Sequence, residues 1–386
     1  MSKRFRPDLL VLAGLFALPL LLHWQTTLGG RTLLPADNLF GAEPWKSAAA
    51  QFGVSVPHNN LLSDLILENY AWKRFTLRTL QAGELPLWNP HQLAGMPFLA
   101  DGQHSALYPF SLLFYVLPLW RAYGWFVVSQ LFLAGACAYV YLRVLRLPRP
   151  AAALGAVIYQ LGQFMTVSVV FPMILAGAAW LPLLLACIDL IIEQRPALGG
   201  RPARLPWLAL GATAFGMQIL AGHPEVIYYS ALVMAAYAAV RLAGTTKLPT
   251  SNFQLQTSNS KDGRRATEDR KPGWRSVMSL VRPAAFLLAM AALGVGLGAA
   301  QLAPLLELVR HSFRTGSATY AQITGWAYPA RHLLAFLMPD FYGNPSHHAY
   351  FDWFAGQWRA ATINALGQPI DTIFWGIKNY VEGGAY

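Results

Sequence analysis

The chain has 386 residues, of which 55% are hydrophobic and only 12% are charged. A soluble globular domain carries about twice that share of charged residues, so the composition excludes an ordinary soluble protein and favours several membrane-spanning helices. The net charge of +11 does not indicate nucleic-acid binding, because the basic residues cluster in short loops between apolar segments, as the positive-inside rule predicts. The two cysteines lie inside apolar segments and predict buried thiols rather than a disulfide or a metal site.

Seven apolar segments are long enough to cross a hydrocarbon core of about 30 Å at about 1.5 Å per residue. They cover roughly residues 8–28, 122–142, 151–170, 173–192, 206–222, 224–242 and 283–302. The first follows Lys3, Arg4 and Arg6 and lacks a small-residue cleavage site, which favours an uncleaved first transmembrane helix at 1–28 over a signal peptide. The sequence therefore predicts an all-α polytopic membrane protein with about seven transmembrane helices.

The distribution of basic residues predicts an orientation for this bundle. With a cytoplasmic N-terminus, the cytoplasmic segments hold 18 of the 29 lysines and arginines, in agreement with the positive-inside rule. Residues 122–302 then carry helices two to seven, with a polar cytoplasmic loop at 243–275 that is predicted to be disordered. The apolar segment 107–119 is short and would reverse this orientation if it spanned, so it is interpreted as an interfacial or re-entrant helix.

A long extracytoplasmic segment, 29–121, follows the first helix and carries most of the candidate residues. Residues 60–81 predict an amphipathic helix on which Asp64 and Glu68, four positions apart, share one face. The next loop is rich in Pro, Gly and aromatic residues and must be shaped by turns. It is interpreted as a lip over a lipid-facing cavity, with Asp101 and His104 on that lip. A solvated helix face and a rigid loop docked on the helices are the structural alternatives.

Further polar residues fall on the same predicted side of the membrane. His223 and Glu225 occupy the tight turn AGHPE, where metal binding, acceptor orientation and a capped helix start explain them equally well. Glu307 follows the seventh helix, and the last segment, 303–386, carries Arg314 and Arg331. Because this segment ends without a polar tail, the chain is expected to be a fragment of a longer protein.

Five motifs follow one another along the chain: GELPLWNPHQLAGMPFLADGQ with a following YPF, AGHPEVIYYSAL, QLAPLLELVRHSFRTG, YPARHLLAFLMPDFYGNP and NYVEGGAY. In content and order they resemble the motifs of the YfhO family of bacterial membrane proteins. The resemblance covers the chain from about residue 62 to its end. It implies a helical bundle similar to GT-C glycosyltransferases in the bacterial plasma membrane. It also implies a sugar donor carried on polyprenyl phosphate and a cell-envelope acceptor such as teichoic acid.

The resemblance further implies a catalytic acid early in the first outer loop. Asp37, the first acid after helix one, is the preferred base for the acceptor hydroxyl, and Asp64 in the matched stretch is the second choice. An N-cap for Asp37 and a solvated face for Asp64 are the alternatives. Arg314 is preferred over Arg331 for the departing phosphate. The substrate-binding candidates are Glu68, Asp101, His104, His223, Glu225, Glu307, Arg314 and Arg331, and a divalent metal, Mg or Mn, is a candidate cofactor.

Two other function classes stay open. A lipid or polymer transporter or flippase without transferase activity needs a polar path through the bilayer. The apolar segments offer Gln130, Gln160, Gln163, Asp189, Gln218 and Gln301. These residues do not form a series of ionisable groups across the bilayer, which argues against proton coupling. A non-catalytic scaffold would tolerate replacement of the outer acids. The sequence does not indicate which sugar or acceptor is used.

Overall fold

The computed structural model describes residues 6–54, 62–196, 203–246 and 274–311, and five short pieces at 319–320, 333–334, 337–338, 349–352 and 356–360. The α-helices of this part are α1 (Arg6–Leu22), α2 (Trp24–Thr27), α3 (Tyr70–Gln81), α4 (Phe98–Asp101), α5 (Leu112–Val116), α6 (Leu119–Val144), α7 (Arg149–Gln160), α8 (Gln163–Val167), α9 (Pro172–Ala178), α10 (Leu181–Ile192), α11 (Leu205–Leu220), α12 (Pro224–Thr246), α13 (Trp274–Leu297) and α14 (Ala299–His311). Two short antiparallel strands, β1 (Ala349–Asp352) and β2 (Gln357–Ala360), pair with each other. The described part of the chain is thus mostly helical, as predicted, although its two short strands depart from an all-α fold.

Several helices have the length and apolar composition that a membrane crossing requires. Four qualify individually: Leu119–Val144, Pro172–Ile192, Pro224–Gly244 and Leu280–Leu297. The helices Arg149–Gln160 and Gln163–Val170 form a fifth candidate if they count as one span, with a bend of 42° between them. The apolar helices Pro7–Leu22 and Leu205–Leu220 are shorter. Helix length therefore supports a membrane protein with four or five candidate spans in the described ranges, fewer than the predicted seven.

The segment 107–119 does not form a spanning helix. It contains a 3₁₀ turn, Pro109–Ser111, followed by α5, which has five residues. At about 1.5 Å per residue, α5 rises only about 8 Å. Phe114 of α5 is fully buried and packs edge-on against Tyr123 of α6, with ring centroids 4.9 Å apart. The segment is therefore a short helix that packs on the side of α6.

The chain divides into two compact units. Unit 1 comprises Met1–Arg31 and Pro86–Leu306 and contains all of the candidate spans. Unit 2 comprises Thr32–Leu85 and Glu307–Tyr386. In unit 2, the 3₁₀ helix Ala36–Gly41 packs against the π-helical turn Leu65–Asn69, which leads directly into α3. The predicted outer segment 29–121 is thus divided between the two units.

The core of unit 1 lies where α10, α11 and α13 meet. Ile188 of α10 and Phe215 of α11 are buried there with Met290 of α13. Gly211 of α11 lies so close to Met290 that an added Cβ would overlap the sulfur atom. Small residues at such crossings are usual in membrane proteins, because the lipid provides no hydrophobic drive and close van der Waals contact must hold the helices together.

Ion pairs join the helices at one end of unit 1, which is termed the arginine end. It is formed by Asp8, Arg143, Arg146, Arg149, Asp189, Glu193, Arg195 and Arg241. Asp8 accepts a hydrogen bond from Arg149 at 3.0 Å, which joins α1 to α7. Asp189, which is fully buried, accepts one from Arg241 at 2.5 Å, which joins α10 to α12. Helices α1 and α7 begin at this end and α6, α10 and α12 finish there, so α1 and α7 run antiparallel to the other three.

Candidate functional site

The loop that follows α4 is folded by its own hydrogen bonds. The Ser105 N–H donates to the Gly102 carbonyl oxygen at 2.8 Å, and the Ser111 hydroxyl donates to the Ser105 carbonyl oxygen at 2.7 Å. Gly102 and Ser105 both have positive φ angles, of 80° and 52°. Regular helices and strands do not contain this conformation, so the loop is a chain of tight turns.

His104 is fully buried inside this loop and stacks on Phe98, with ring centroids 4.2 Å apart. Its Nδ1 accepts a hydrogen bond from the Ala106 N–H at 2.9 Å. Its Nε2 lies 2.9 Å from the Phe98 carbonyl oxygen and must therefore carry the proton that it donates. Both ring nitrogens are used within the loop. The sequence predicts His104 as a substrate-binding residue on the lip, whereas the structure places its ring inside the loop, where it shapes the turns.

The loop is bound to the tight turn between α11 and α12. The Ser105 hydroxyl donates to the Ala221 carbonyl oxygen at 2.7 Å. Gly222 lies against Gly102, and a Cβ added to Gly222 would overlap the Gly102 carbonyl oxygen. Gly222 also has a φ of +89°, a left-handed conformation that favours glycine. Two segments that sequence reasoning singled out separately thus meet through their backbones.

Gln301 joins the same site from the start of α14. It is 2% exposed, and its Nε2 donates to the Leu99 carbonyl oxygen at 2.7 Å. Its amide also lies against Gly102. Its Oε1 has no hydrogen-bond partner among the residues that the structure describes. Sequence reasoning counted Gln301 only among the polar residues of the apolar segments, because a contact between positions 202 apart leaves no local pattern.

Tyr108 attaches the far end of the loop to the helices. Its hydroxyl donates to Gln130 Oε1 on α6 at 2.8 Å and accepts a hydrogen bond from Trp180 Nε1 at 3.1 Å. Burial raises the pKa of the Tyr108 phenol far above its ordinary value, so the group stays neutral. The loop is therefore held at both ends by the helices of unit 1.

These contacts create a small site, termed the polar corner, formed by Asp101, Gly102, Gly222, His223 and Gln301. Burial raises the pKa of the Asp101 carboxyl from 3.8 to about 6. Within the described part of the chain, this carboxyl has no hydrogen bond or ion pair. Burial lowers the pKa of His223, and the charge of Glu225 partly opposes this effect. The polar corner thus combines an imidazole that tends to be neutral with a carboxyl that titrates near neutral pH.

The catalytic candidates of unit 2 lie on two turns that pack together. Asp37 is half-buried in the 3₁₀ helix Ala36–Gly41, whose N-cap position is Pro35, so the capping alternative for Asp37 is not realised. Asp64 and Glu68 are exposed and belong to the π-helical turn Leu65–Asn69 and its N-cap. Because the two turns are in contact, unit 2 brings the segments of both preferred acids together.

The contacts between described residues do not bring the remaining candidate site residues into one cluster. Glu225 is exposed in the first turn of α12, and Glu307 is exposed on α14. Arg314 and Arg331 lie outside the described residues. Over the ranges that are described, His, Cys, Asp and Glu side chains do not come together in a group of three or more that could hold a metal ion. The described residues therefore do not supply a ligand set for the predicted Mg or Mn ion.

Lys73 is a buried titratable group that the sequence did not indicate. Lys and Arg side chains on a helix usually extend their charged ends towards water or lipid headgroups. Arg74 is exposed, but Lys73 is only 1% exposed and lies on the buried side of α3 with Trp72 and Thr76. Burial lowers the pKa of Lys73 from 10.5 to about 7. Lys73 departs from this usual placement, because the buried face of α3 includes polar as well as apolar side chains.

Comparison with known proteins does not add a relative to these observations. The chain matches no protein-family model, and neither the curated proteins nor the solved structures contain a significant match to it.

Proposed function

We propose that the chain is a membrane glycosyltransferase that transfers a sugar from a polyprenyl-phosphate donor to a cell-envelope acceptor on the extracytoplasmic face. The observation that carries this proposal is the polar corner, where an irregular loop lies against the end of an apolar helical bundle. Irregular backbone at the end of such a bundle is tolerated where it is covered by protein or lines a cavity. A carboxyl with a pKa near 6 in this place is suited to proton transfer.

The proposed fold is a bundle similar to GT-C enzymes with seven crossings. It counts the four long helices, the bent pair α7 and α8, and the two shorter apolar helices Pro7–Leu22 and Leu205–Leu220. The arginine end would face the cytoplasm. The polar corner would face the outside, because α12 rises about 25 Å between Pro224, next to His223, and Arg241 at about 1.5 Å per residue. The same proposal places the chain in the YfhO family of the bacterial plasma membrane.

The proposed reaction is a direct displacement at the anomeric carbon of the donor sugar. A carboxylate takes the proton of the acceptor hydroxyl while its oxygen forms the new glycosidic bond. The bond between the anomeric carbon and the polyprenyl-phosphate oxygen breaks, and the phosphate leaves with the electron pair. Asp37 and Asp64 are the preferred bases from the family resemblance. Asp101 joins them because its raised pKa makes it a stronger base than an ordinary aspartate.

The first prediction tests the acid assignment in the full-length protein. We expect one of Asp37→Asn, Asp64→Asn or Asp101→Asn to lower sugar transfer by about 10²–10⁴-fold, the usual worth of a general base. The measurement is transfer from a labelled polyprenyl-phosphate hexose in isolated membranes. Glu84→Gln is the matched control, because Glu84 is exposed in the same outer segment. Wild-type rates in all three aspartate variants would show that the acid assignment is wrong.

A transporter without transferase activity is the alternative, and the buried glutamines give it little support. Gln160 donates to the Leu15 carbonyl oxygen at 2.6 Å, and Gln218 donates to the Gly177 carbonyl oxygen at 2.8 Å. Each side chain therefore links two helices, as polar side chains commonly do in membrane bundles. A path for a substrate would instead need polar groups that face a common cavity.

A further inference from the structure

At the arginine end, the arginines that form ion pairs outnumber the acids that pair with them. Around the end of α10, Glu193 pairs with Arg195 and Arg241 at 2.8 Å each, and Asp189 also pairs with Arg241. Both nearby carboxylates are therefore already engaged by arginines. Any further arginine at this end would therefore need a different anion as its partner.

Arg204 and Arg282 are two such arginines, and the packing places them side by side. The Arg204 Nε donates to the Ile191 carbonyl oxygen at 3.0 Å, at the end of α10. The Arg204 guanidinium carbon lies 5.7 Å from the ring centroid of Phe286 on α13. Phe286 is one helical turn beyond Arg282, so both occupy one face of α13. The Arg204 guanidinium therefore lies next to the Arg282 side chain.

Among the described residues, neither arginine is neutralised by an acidic side chain. Burial and the nearby charge of Arg282 lower the pKa of Arg204. Adjacent like charges repel, and an anion between them would turn this repulsion into attraction. Guanidinium groups bind phosphate oxygens through paired, charge-assisted hydrogen bonds, which makes phosphate the anion that fits them.

The position of the two side chains points to a lipid phosphate rather than a free one. Arg282 lies near the start of the candidate span Leu280–Leu297, and Arg204 directly precedes the apolar helix α11. Trp207, in the first turn of α11, donates its indole N–H to the Arg195 carbonyl oxygen at 2.8 Å. Arg and Trp at the ends of apolar helices lie at headgroup depth. We propose that Arg204 and Arg282 together bind the phosphate of an anionic phospholipid headgroup.

The experiment compares lipid retention by the purified full-length protein. The protein is reconstituted in equimolar phosphatidylcholine and phosphatidylglycerol, and the retained lipids are identified by native mass spectrometry. We expect the wild type to retain phosphatidylglycerol preferentially. Arg282→Gln, at an exposed position, should lower the retained ratio of phosphatidylglycerol to phosphatidylcholine by roughly tenfold, as the loss of one charge-assisted phosphate contact predicts.

Arg146→Gln is the matched control, because Arg146 lies at the same end with a side chain that is 81% exposed. It should leave the retained ratio unchanged. An equal loss in both variants would indicate general attraction to anionic lipid and would overturn the site. An unchanged ratio in Arg282→Gln would also overturn it. Inorganic phosphate added to protein in phosphatidylcholine alone should not raise the unfolding temperature, and a rise that Arg282→Gln abolishes would identify a free-anion site instead.

Discussion

Asp101 and Gln301 are the residues in which the polar corner departs most from an ordinary protein interior. Buried polar atoms usually have partners, yet the Gln301 Oε1 has none in the described part of the chain. The Asp101 carboxyl beside the same loop is partly desolvated, which favours its protonated form. Both groups can accept a hydrogen bond from a hydroxyl. Under the proposed function, a sugar hydroxyl is a donor that could meet this need.

The second prediction follows from the raised pKa of Asp101. The folded protein binds this proton more tightly than the unfolded chain, so the contribution of Asp101 to stability is fully present below its ordinary pKa of 3.8. It is lost as the pH rises through about 6. We expect the wild type to lose stability across this window and Asp101→Asn to lose less. The measurement is the unfolding midpoint in detergent as a function of pH.

Glu84→Gln is the control for this titration, because Glu84 is exposed and lies outside the polar corner. It should follow the pH dependence of the wild type. If Asp101→Asn also followed the wild type throughout, the carboxyl would not be desolvated in the folded protein.

At the scale of elements, the polar corner depends on a contact between two glycines. Gly102 follows α4 and Gly222 precedes α12, and both have φ angles near +80° to +90°. Only glycine allows the backbones to approach so closely at such angles. The Ser105 hydrogen bond to Ala221 and the Gln301 hydrogen bond to Leu99 then hold the loop from two further directions. The turn and the loop are therefore joined by direct backbone and side-chain contacts.

The third prediction concerns this glycine contact. Gly222→Ala adds a Cβ that would overlap the Gly102 carbonyl oxygen and also strains a left-handed backbone. We expect a loss of about 1–3 kcal/mol in the free energy of unfolding, together with faster proteolysis of the loop. Gly30→Ala is the control, since a Cβ there would meet nothing within 4 Å, and it should change stability by less than about 0.5 kcal/mol. Equal stability of the two variants would contradict the close contact.

For unit 1 as a whole, the two ends differ in chemistry. One end is bound together by arginines and their paired acids, and the other carries the loop and the polar corner. Because α12 connects the two ends, they lie on opposite sides of any membrane that these helices cross. The excess of arginines favours the cytoplasm for their end.

The fourth prediction tests this orientation by cysteine labelling in intact cells. Cys137 and Cys187 are buried, so the parent protein should not react with a thiol reagent that cannot cross membranes. Glu225→Cys, exposed at the polar end, should label from outside. Arg146→Cys, exposed at the arginine end, should label only after the cells are opened. Labelling of both variants from outside would contradict the proposed topology.

The sequence by itself determined the class of the protein and the position of its apolar helices, because hydropathy and charge bias are local properties of the chain. Each of the seven predicted segments contains an apolar helix. Helix length was less predictable. Gly298 separates α13 from α14 within the last segment, and the chain bends by 42° between α7 and the helix that follows it.

Only the tertiary structure decided which polar residues share a site. Ser105 and Ala221 are 116 positions apart, and Leu99 and Gln301 are 202 apart, so no periodicity could pair them. Burial also depends on packing by distant segments, which is why His104 and Lys73 lie inside although their polarity indicates a surface position. Local pattern therefore specified the helices, whereas long-range contacts specified the polar corner.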